Sequence, residues 1–247
     1  MKLIFENWRK YLKEEITKTQ RKIFVLVGPP SVGKSYWIKE TFGHDPNMSV
    51  DPYVISRDDI ANSVADKMGW TYDDLFVPPS EGAEEGDSDE KYGTVVKSPP
   101  YMTWQLLSYD KVVEANNKIH QLFMQRVSGA QPSNRDIIVD MTNMNAAARS
   151  GALKAIEGAE EDYQKIAVVF EFENAEEIIK SIAAKRAEEE RKKGKSKTIP
   201  PEAFDRMFKA FQKIDPSEGF DDVISVDNRE ALRALAGGQE EQSETPI

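Results

Sequence analysis

Lys22-Ile23-Phe24-Val25-Leu26-Val27-Gly28-Pro29-Pro30-Ser31-Val32-Gly33-Lys34-Ser35 is the stretch that decides how this chain is read. An apolar, β-branched run stops at Gly28, and Gly28 to Ser35 fits G-x-x-x-x-G-K-[ST]. Tyr36-Trp37-Ile38-Lys39-Glu40 then opens a helical pattern. Strand, glycine-bearing loop and helix in that order make a phosphate-binding P-loop.

The chemistry explains the spacing. Phosphate oxygens need several N–H donors at close range. Gly28 and Gly33 let the backbone curl around an anion without a Cβ in the way. The next helix turns its unpaired N–H groups and the positive end of its dipole to the same anion. Gly28, Pro29, Pro30, Ser31, Val32 and Gly33 are therefore the expected cradle. Lys34 reaches for the β- and γ-phosphates of ATP, and Ser35 offers its hydroxyl to Mg²⁺. The competing reading is a glycine turn that matches by chance.

Outward from the loop, strands and helices alternate. Tyr53–Ser56, Asp136–Asp140, Lys165–Phe172 and Asp222–Val226 read as strands. Helices are expected from Arg57, over Thr103–Val127, Asn145–Glu160, Glu176–Arg191 and Glu202–Lys213. The pattern predicts an α/β fold: a five-stranded parallel sheet with helices on both faces. Residues 69–102 fit no regular element. Within them Ser80 to Glu90 is acidic and glycine-bearing and reads as a mobile loop. The expected organisation is an amphipathic helix over 1–20, a kinase-type domain over 21–236 with an insertion at about 69–135, and a disordered tail over 237–247.

In residues 1–20, Phe5, Trp8, Leu12 and Ile16 recur at three- and four-residue steps. They serve either to pack on the domain edge or to dock a protein partner. Among 247 residues there is no cysteine and there are only two histidines, His44 and His120. Disulfides, thiolate zinc sites and cysteine nucleophiles are excluded, and a histidine metal cluster is not expected. No apolar run approaches the 18 residues of a membrane span, and no secretory leader is evident, so cytoplasmic action without a membrane is expected. The net charge of −10 argues against a protein that coats nucleic acid. It leaves room for a local basic site that grips one strand end.

Phosphoryl transfer needs a group to orient the attacking oxygen and cations for the developing charge. Ligands of open α/β sheets bind beyond the carboxyl ends of strands. Arg57, Asp58 and Asp59 follow such an end, and so does Asp140. Asp58 reads as the base that accepts a hydroxyl proton, or as a helix cap, a role Asp59 also fits. Asp140 reads as a magnesium carboxylate or as the holder of the Thr142-Asn143 turn. The basic segment from Arg186 to Lys197 reads as a closing lid, or as a solvated helix end with cations at the negative pole. Arg186 and Arg191 are the lid residues of choice, because a guanidinium makes paired hydrogen bonds to a phosphate.

Taken in order, the motifs resemble the phage and bacterial polynucleotide 5′-kinases, which are P-loop kinases. The resemblance runs from Gly28–Ser35 through Arg57-Asp58-Asp59 and Asp140-Met141-Thr142-Asn143 with Arg149. It ends with Arg186 through Ile199-Pro200 to Met207, covering about residues 22–212. It implies that Asp58 is the general base for a 5′-hydroxyl, that Lys34 and Ser35 bind ATP and Mg²⁺, and that a lid arginine contacts the donor phosphates. Thr142, Asn143, Arg149, Arg57 and Asp59 become acceptor or structural candidates. The implied partner is a nucleic acid end, and the implied place is the cytoplasm, that of the host if the chain is phage-encoded. No phosphatase or ligase segment follows, so the kinase step alone is expected. The phage enzymes carry an acceptor-contacting Arg three residues beyond the base, where this chain has Ala61. The chain is also similar in plan, more distantly, to zeta-toxin-like kinases, whose acceptor is a small hydroxyl compound such as a nucleotide sugar. A third reading is an ATP-binding switch or scaffold with no transfer activity.

Overall fold

A computed structural model of the chain describes residues 21–43, 51–99, 106–130, 133, 135–156, 163–193 and 195–237. The N-terminal helix and the tail expected from sequence lie outside these residues, apart from Gly237. The chain forms two compact units. One comprises residues up to Ile55, Val127–Arg186 and Ile199 onward; the other comprises Ser56–Arg126 and Ala187–Thr198.

The first unit is built on β1 (Arg21–Val27), β2 (Tyr53–Ser56), β6 (Ile137–Asp140), β7 (Tyr163–Phe170) and β8 (Asp222–Val226), in the sheet order β2-β6-β1-β7-β8. β1 is central and pairs in parallel with β6 and with β7, and β7 pairs in parallel with β8. A parallel strand covered on both faces reads as a continuous apolar run. β1 obeys this: Ile23 to Val27 are all buried. The helices α1 (Lys34–Phe42), α4 (Ala146–Ala155), α6 (Pro201–Ala210) and α7 (Arg229–Gly237) flank the sheet, as does the larger part of α5 (Glu176–Lys192).

Trp37 fixes α1. Its indole meets Phe24, Phe42 and Phe170 edge-on, with ring centroids 6.0, 5.9 and 6.2 Å away. Offset, edge-to-face contacts are the favoured aromatic geometry and add to the burial of the rings. One face of α1 is thereby clamped to β1 and β7, the two strands on either side of the loop's root. α7 was not anticipated, and Leu232 anchors it with 2% of its surface exposed. Its helical period is clear but spans only nine residues next to a polar tail.

The second unit corrects the expectation that residues 69–102 lack regular structure. β3 (Ser88–Asp89), β4 (Gly93–Lys97) and β5 (Leu107–Tyr109) form a three-stranded antiparallel sheet, and a 3₁₀ turn covers Asp73–Phe76. The acidic stretch is a hydrogen-bonded turn leading into β3, not a free loop. The Glu84 amide donates to the Asp87 carboxylate at 2.9 Å, and the Gly86 amide to the Val95 carbonyl at 2.9 Å. Strands this short carry almost no periodic signal, and Gly86 and Gly93 sit at φ 101° and 89°, where glycine is favoured. The expected helix over Thr103–Val127 is α3 (Asp110–Ser128), preceded by β5. Together with α2 (Arg57–Met68) these elements enclose a separate core of Val64, Trp70, Leu75, Val95, Tyr109, Val112 and Ile119.

Asp74 ties the 3₁₀ turn to the sheet. It is 7% exposed and accepts from Thr71, from the Lys91 ammonium at 2.8 Å and from the Tyr92 hydroxyl at 2.6 Å. Burial pushes its pKa up, but the hydrogen bonds from Lys91, Tyr92 and Thr71 outweigh burial and hold it at about 2. A folded-state pKa below the usual 3.9 contributes stability above pH ~4, and that contribution fades as pH falls through the folded value. Asp74→Asn is therefore expected to lose about 2–3 kcal/mol at pH 7, and its deficit should narrow toward pH 2. Urea titrations across pH check this; a deficit that does not change with pH would refute it. Trp37→Ala is expected to cost about 3–5 kcal/mol in the same measurement.

Candidate active site

The loop leaves β1 at Val27 and closes on α1. Gly28 donates its amide to the Thr142 carbonyl at 2.9 Å. A Cβ on Gly28 would stand 3.0 Å from Val32 Cγ1 and 3.1 Å from Phe170 Cβ, so the turn is already full. Gly33 has φ 104°, and a Cβ there would meet Asn228 Nδ2 at 2.8 Å. Ser31 also takes a left-handed conformation, φ 62°. Gly33, one of the two glycines the spacing singled out, is thus left-handed, and Ser31 shares that conformation.

α1 begins with no side-chain cap and no acidic residue in its first turn. Its leading N–H groups and dipole are thus left to an external anion. The Lys34 ammonium bends back over the loop and donates to the Gly28 and Pro29 carbonyls, at 2.9 Å each. A phosphate seated in the loop would offer it a charged partner within the same reach. The cradle therefore fits a nucleotide phosphate. Ser35 is exposed in the first turn of α1, and Asp140 ends β6, half-buried. Among the described residues no cluster of three or more Asp, Glu or His could hold a metal by itself. Ser35 and Asp140 would each offer one oxygen to Mg²⁺, an ion that takes one or two protein oxygens and fills its shell with water and phosphate.

Asn143 and Arg149 bond to the protein itself, and Thr142 lends its backbone carbonyl to the loop. Asn143, 2% exposed and at φ 47°, donates its amide to the Leu26 carbonyl at 2.9 Å. With the Gly28–Thr142 bond, this pins the turn after β6 to the root of the loop. Arg149 is fully buried and spends all its donors on the protein. It makes paired bonds of 2.6 and 2.7 Å to Glu218 and bonds to the carbonyls of Asn143, Gln212 and Lys213. No N–H remains for an acceptor. Glu218 was not foreseen; nothing near it in sequence marks it as a partner for a residue 69 positions away.

In the second unit, Ser56 caps α2: its hydroxyl accepts from the Asp59 amide at 3.2 Å. This corrects the cap reading for Asp58 and Asp59. Asp58, in the first turn of α2, faces side chains instead. It accepts from the Tyr72 hydroxyl at 3.1 Å and from the Lys197 ammonium at 2.7 Å. Burial first, and the Asp58 carboxylate second, push the Tyr72 phenol well above its ordinary value. Tyr72 is thus a neutral donor at any pH near 7. Arg57 and Asp59 are exposed.

The basic segment divides. Lys192 and Lys193 pair with Glu188 and Glu190 of their own helix, at 3.2 and 3.0 Å, as solvated surface charges do. Arg186 and Arg191 are exposed on α5, and neither has an ion-pair partner among the described residues. Lys197 of the run pairs with Asp58 at 2.7 Å. Its position in a string of cations was visible in sequence, but its target was not.

Strand, loop and lysine-bearing helix on a parallel α/β sheet define a P-loop NTPase fold. The chain matches the AAA domain family over residues 23–214 and belongs to it. That span includes the loop, Asp58, Asp140 and the basic segment. A comparison with the curated proteins finds no match. Among solved structures, the PezAT chromosomal toxin–antitoxin system of Streptococcus pneumoniae is similar with a TM-score of 0.52 and 12% identity. The match covers 98% of this chain and 91% of that one. A candidate kinase from Chloroflexus aurantiacus is similar with a TM-score of 0.48 and 9% identity, over 90% of this chain and 95% of that one. Among the described residues no helix is long and apolar enough to cross a membrane.

Gly33→Ala tests the cradle. The strained φ and the contact with Asn228 are expected to weaken nucleotide binding by on the order of tenfold or more, with secondary structure retained. Calorimetric titration of ATP checks this; wild-type affinity would show that the loop does not hold the nucleotide. Arg149→Met is expected to cost about 3–5 kcal/mol, because it strands Glu218, and thermal unfolding measures it.

Proposed function

We propose that this protein is an ATP-dependent kinase that transfers the γ-phosphate to the 5′-hydroxyl of a polynucleotide, in RNA or DNA end healing. The observation that carries the reading is the disposition of Asp58. Ser56 does the capping, so the carboxylate of the first turn of α2 is given to side chains, as a proton acceptor requires. Membership in a kinase-type P-loop family supports the donor half. The ordered set Arg57-Asp58-Asp59, Asp140-Met141-Thr142-Asn143 and the basic run into Ile199-Pro200 supports a polynucleotide end as acceptor.

The acceptor oxygen forms a bond to the γ-phosphorus while the bond from that phosphorus to the β–γ bridging oxygen breaks. ADP leaves with the electron pair, and the hydroxyl proton passes to Asp58. The N–H groups of Gly28–Ser35 hold the donor phosphates. Lys34 exchanges the carbonyls of Gly28 and Pro29 for phosphate oxygens. Ser35 and Asp140 would hold Mg²⁺, which would supply charge neutralisation. Arg186 and Arg191 are the cations available to the transferring phosphoryl group. Such transfer is mainly positioning and electrostatics, and these residues supply both.

A small hydroxyl acceptor such as a nucleotide sugar is the second reading. Ala61, 4% exposed in the core of its unit, offers no cation from the face of α2 just beyond Asp58.

The test is transfer from γ-labelled ATP with Mg²⁺ to a short oligonucleotide with a 5′-hydroxyl, against its 5′-phosphorylated twin. Label is expected on the hydroxyl form alone. Asp58→Asn is expected to lower kcat by about 10²–10⁴-fold with ATP affinity retained, and Lys34→Ala to lose transfer through weaker ATP contacts. No label on either oligonucleotide, with ATP bound, would overturn the polynucleotide reading. Label on a nucleotide sugar would then favour the second reading, and none on any acceptor an ATP-binding switch.

A further inference from the structure

Lys197 stands apart from the other cations of its run. Its ammonium sits 2.7 Å from an Asp58 oxygen and 4.7 Å from the centre of the Tyr72 ring. The Lys197 and Asp58 side chains are 33% and 56% exposed, so the pair is open to a ligand. The backbone that carries Lys197 is fastened on both sides. Asp73 accepts from the Ser196 hydroxyl and from the Thr198 amide, at 2.7 Å for the amide, and its own amide donates to the Ser196 carbonyl at 3.3 Å. Asp73 opens the 3₁₀ turn, which Asp74 holds to the sheet. Lys197 is therefore positioned rather than trailing in solvent. On the same turn the Phe76 ring, 39% exposed, stands 5.2 Å from the Tyr72 ring.

We propose that Lys197, Tyr72 and Phe76 form an acceptor subsite around Asp58, for a ligand carrying an aromatic base and a phosphate beside its reacting hydroxyl. The proposal rests on the kinase reading for the role of Asp58, but the ligand chemistry follows from this cluster alone. Phe76 offers a ring face on which a base stacks, a contact that tolerates any base. Tyr72 keeps its hydroxyl on Asp58 and orients the carboxylate. Lys197 supplies the charge for the phosphate. When the acceptor hydroxyl forms its bond to the γ-phosphorus, the bond from that phosphorus to the β–γ bridging oxygen breaks, ADP leaves with the electron pair, and the hydroxyl proton moves to Asp58 and neutralises the carboxylate. The Lys197 charge, until then shared with Asp58, is released to the acceptor phosphate as the reaction proceeds. A nucleic acid end and a nucleotide sugar share this chemistry, and the experiment separates them.

The experiment is equilibrium binding to the full chain without ATP, by calorimetry. The probes are a 5′-hydroxyl dinucleotide, a nucleotide sugar and an unphosphorylated nucleoside. Lys197→Met is expected to weaken a phosphate-bearing probe by at least about tenfold and to leave the nucleoside unchanged, while Lys197→Arg stays near wild type. Phe76→Ala is expected to weaken phosphate-bearing probe and nucleoside alike, by on the order of tenfold. Lys197-dependent binding of the nucleotide sugar but not the dinucleotide supports the subsite and overturns the polynucleotide reading alone. No binding of either phosphate-bearing probe to folded wild type, or equal affinity in Lys197→Met, overturns the subsite. Loss of nucleoside binding in Lys197→Met would show that Lys197 merely holds the turn, and would overturn its role as the phosphate cation.

Discussion

The buried guanidinium of Arg149 is the constraint on which the phosphate loop depends. Its donors are distributed over Glu218, Asn143, Gln212 and Lys213. A charge without solvent is tolerable only when paired and hydrogen-bonded on every side. Satisfying it draws three separate stretches of chain together: the turn after β6, the segment after α6 and the 3₁₀ turn at Pro216–Glu218. Asn143, gripped through its carbonyl, passes the restraint to the Leu26 carbonyl, one residue before β1 ends. Thr142 accepts from Gly28 beside it. The loop is therefore held from outside as well as by its own glycines. From the other side, Asn228 donates to the Val32 carbonyl. A cradle that must present several N–H groups to an anion gains from such external struts, since each spares the anion the cost of ordering the loop.

Two kinds of information differ in how far the sequence exposes them. The continuous apolar run of β1 and the glycine spacing after it are local and sterically enforced. They placed the P-loop, the parallel sheet and the five strands within a few residues. The chemistry around Asp58 is a matter of long-range pairing. Lys197 lies 139 positions away, and the ion pair is closed by a turn at Tyr72–Phe76 whose residues, taken alone, look like loop. The same holds for Arg149, which family likeness marks as a site residue but which packing turns into a brace. A motif fixes which residue types appear together, not whether a side chain points inward to the protein or outward to a ligand.

The antiparallel sheet of the second unit shows why composition misleads there. Gly, Asp, Glu and Ser over residues 80–90 have the profile of a disordered segment. Their carboxylates are instead turned to local work. Asp87 and Asp89 accept backbone N–H groups, and Asp110 accepts from Thr94. Asp and Gly are turn formers because a carboxylate satisfies nearby amides and a glycine accepts positive φ. The acidic charge is thus the mark of tight turns between short strands. The carboxylates keep their charge while they accept these bonds, and most of residues 80–90 stay exposed.

That distribution bears on how a chain with a net charge of −10 handles phosphate. Net charge sets long-range attraction, whereas recognition is decided within a few ångströms by the charges that are held in place. Lys34 is on the loop and Lys197 beside Asp58, each anchored to oxygen atoms of the protein at 2.7–2.9 Å. Asp74 and Glu218, by contrast, are consumed by Lys91 and Arg149. Those two carboxylates are already paired and do not oppose the cations on the loop and next to Asp58. A net charge of −10 disfavours general binding to nucleic acid. Recognition of a single phosphate group would then rest on cations held in place rather than on net charge.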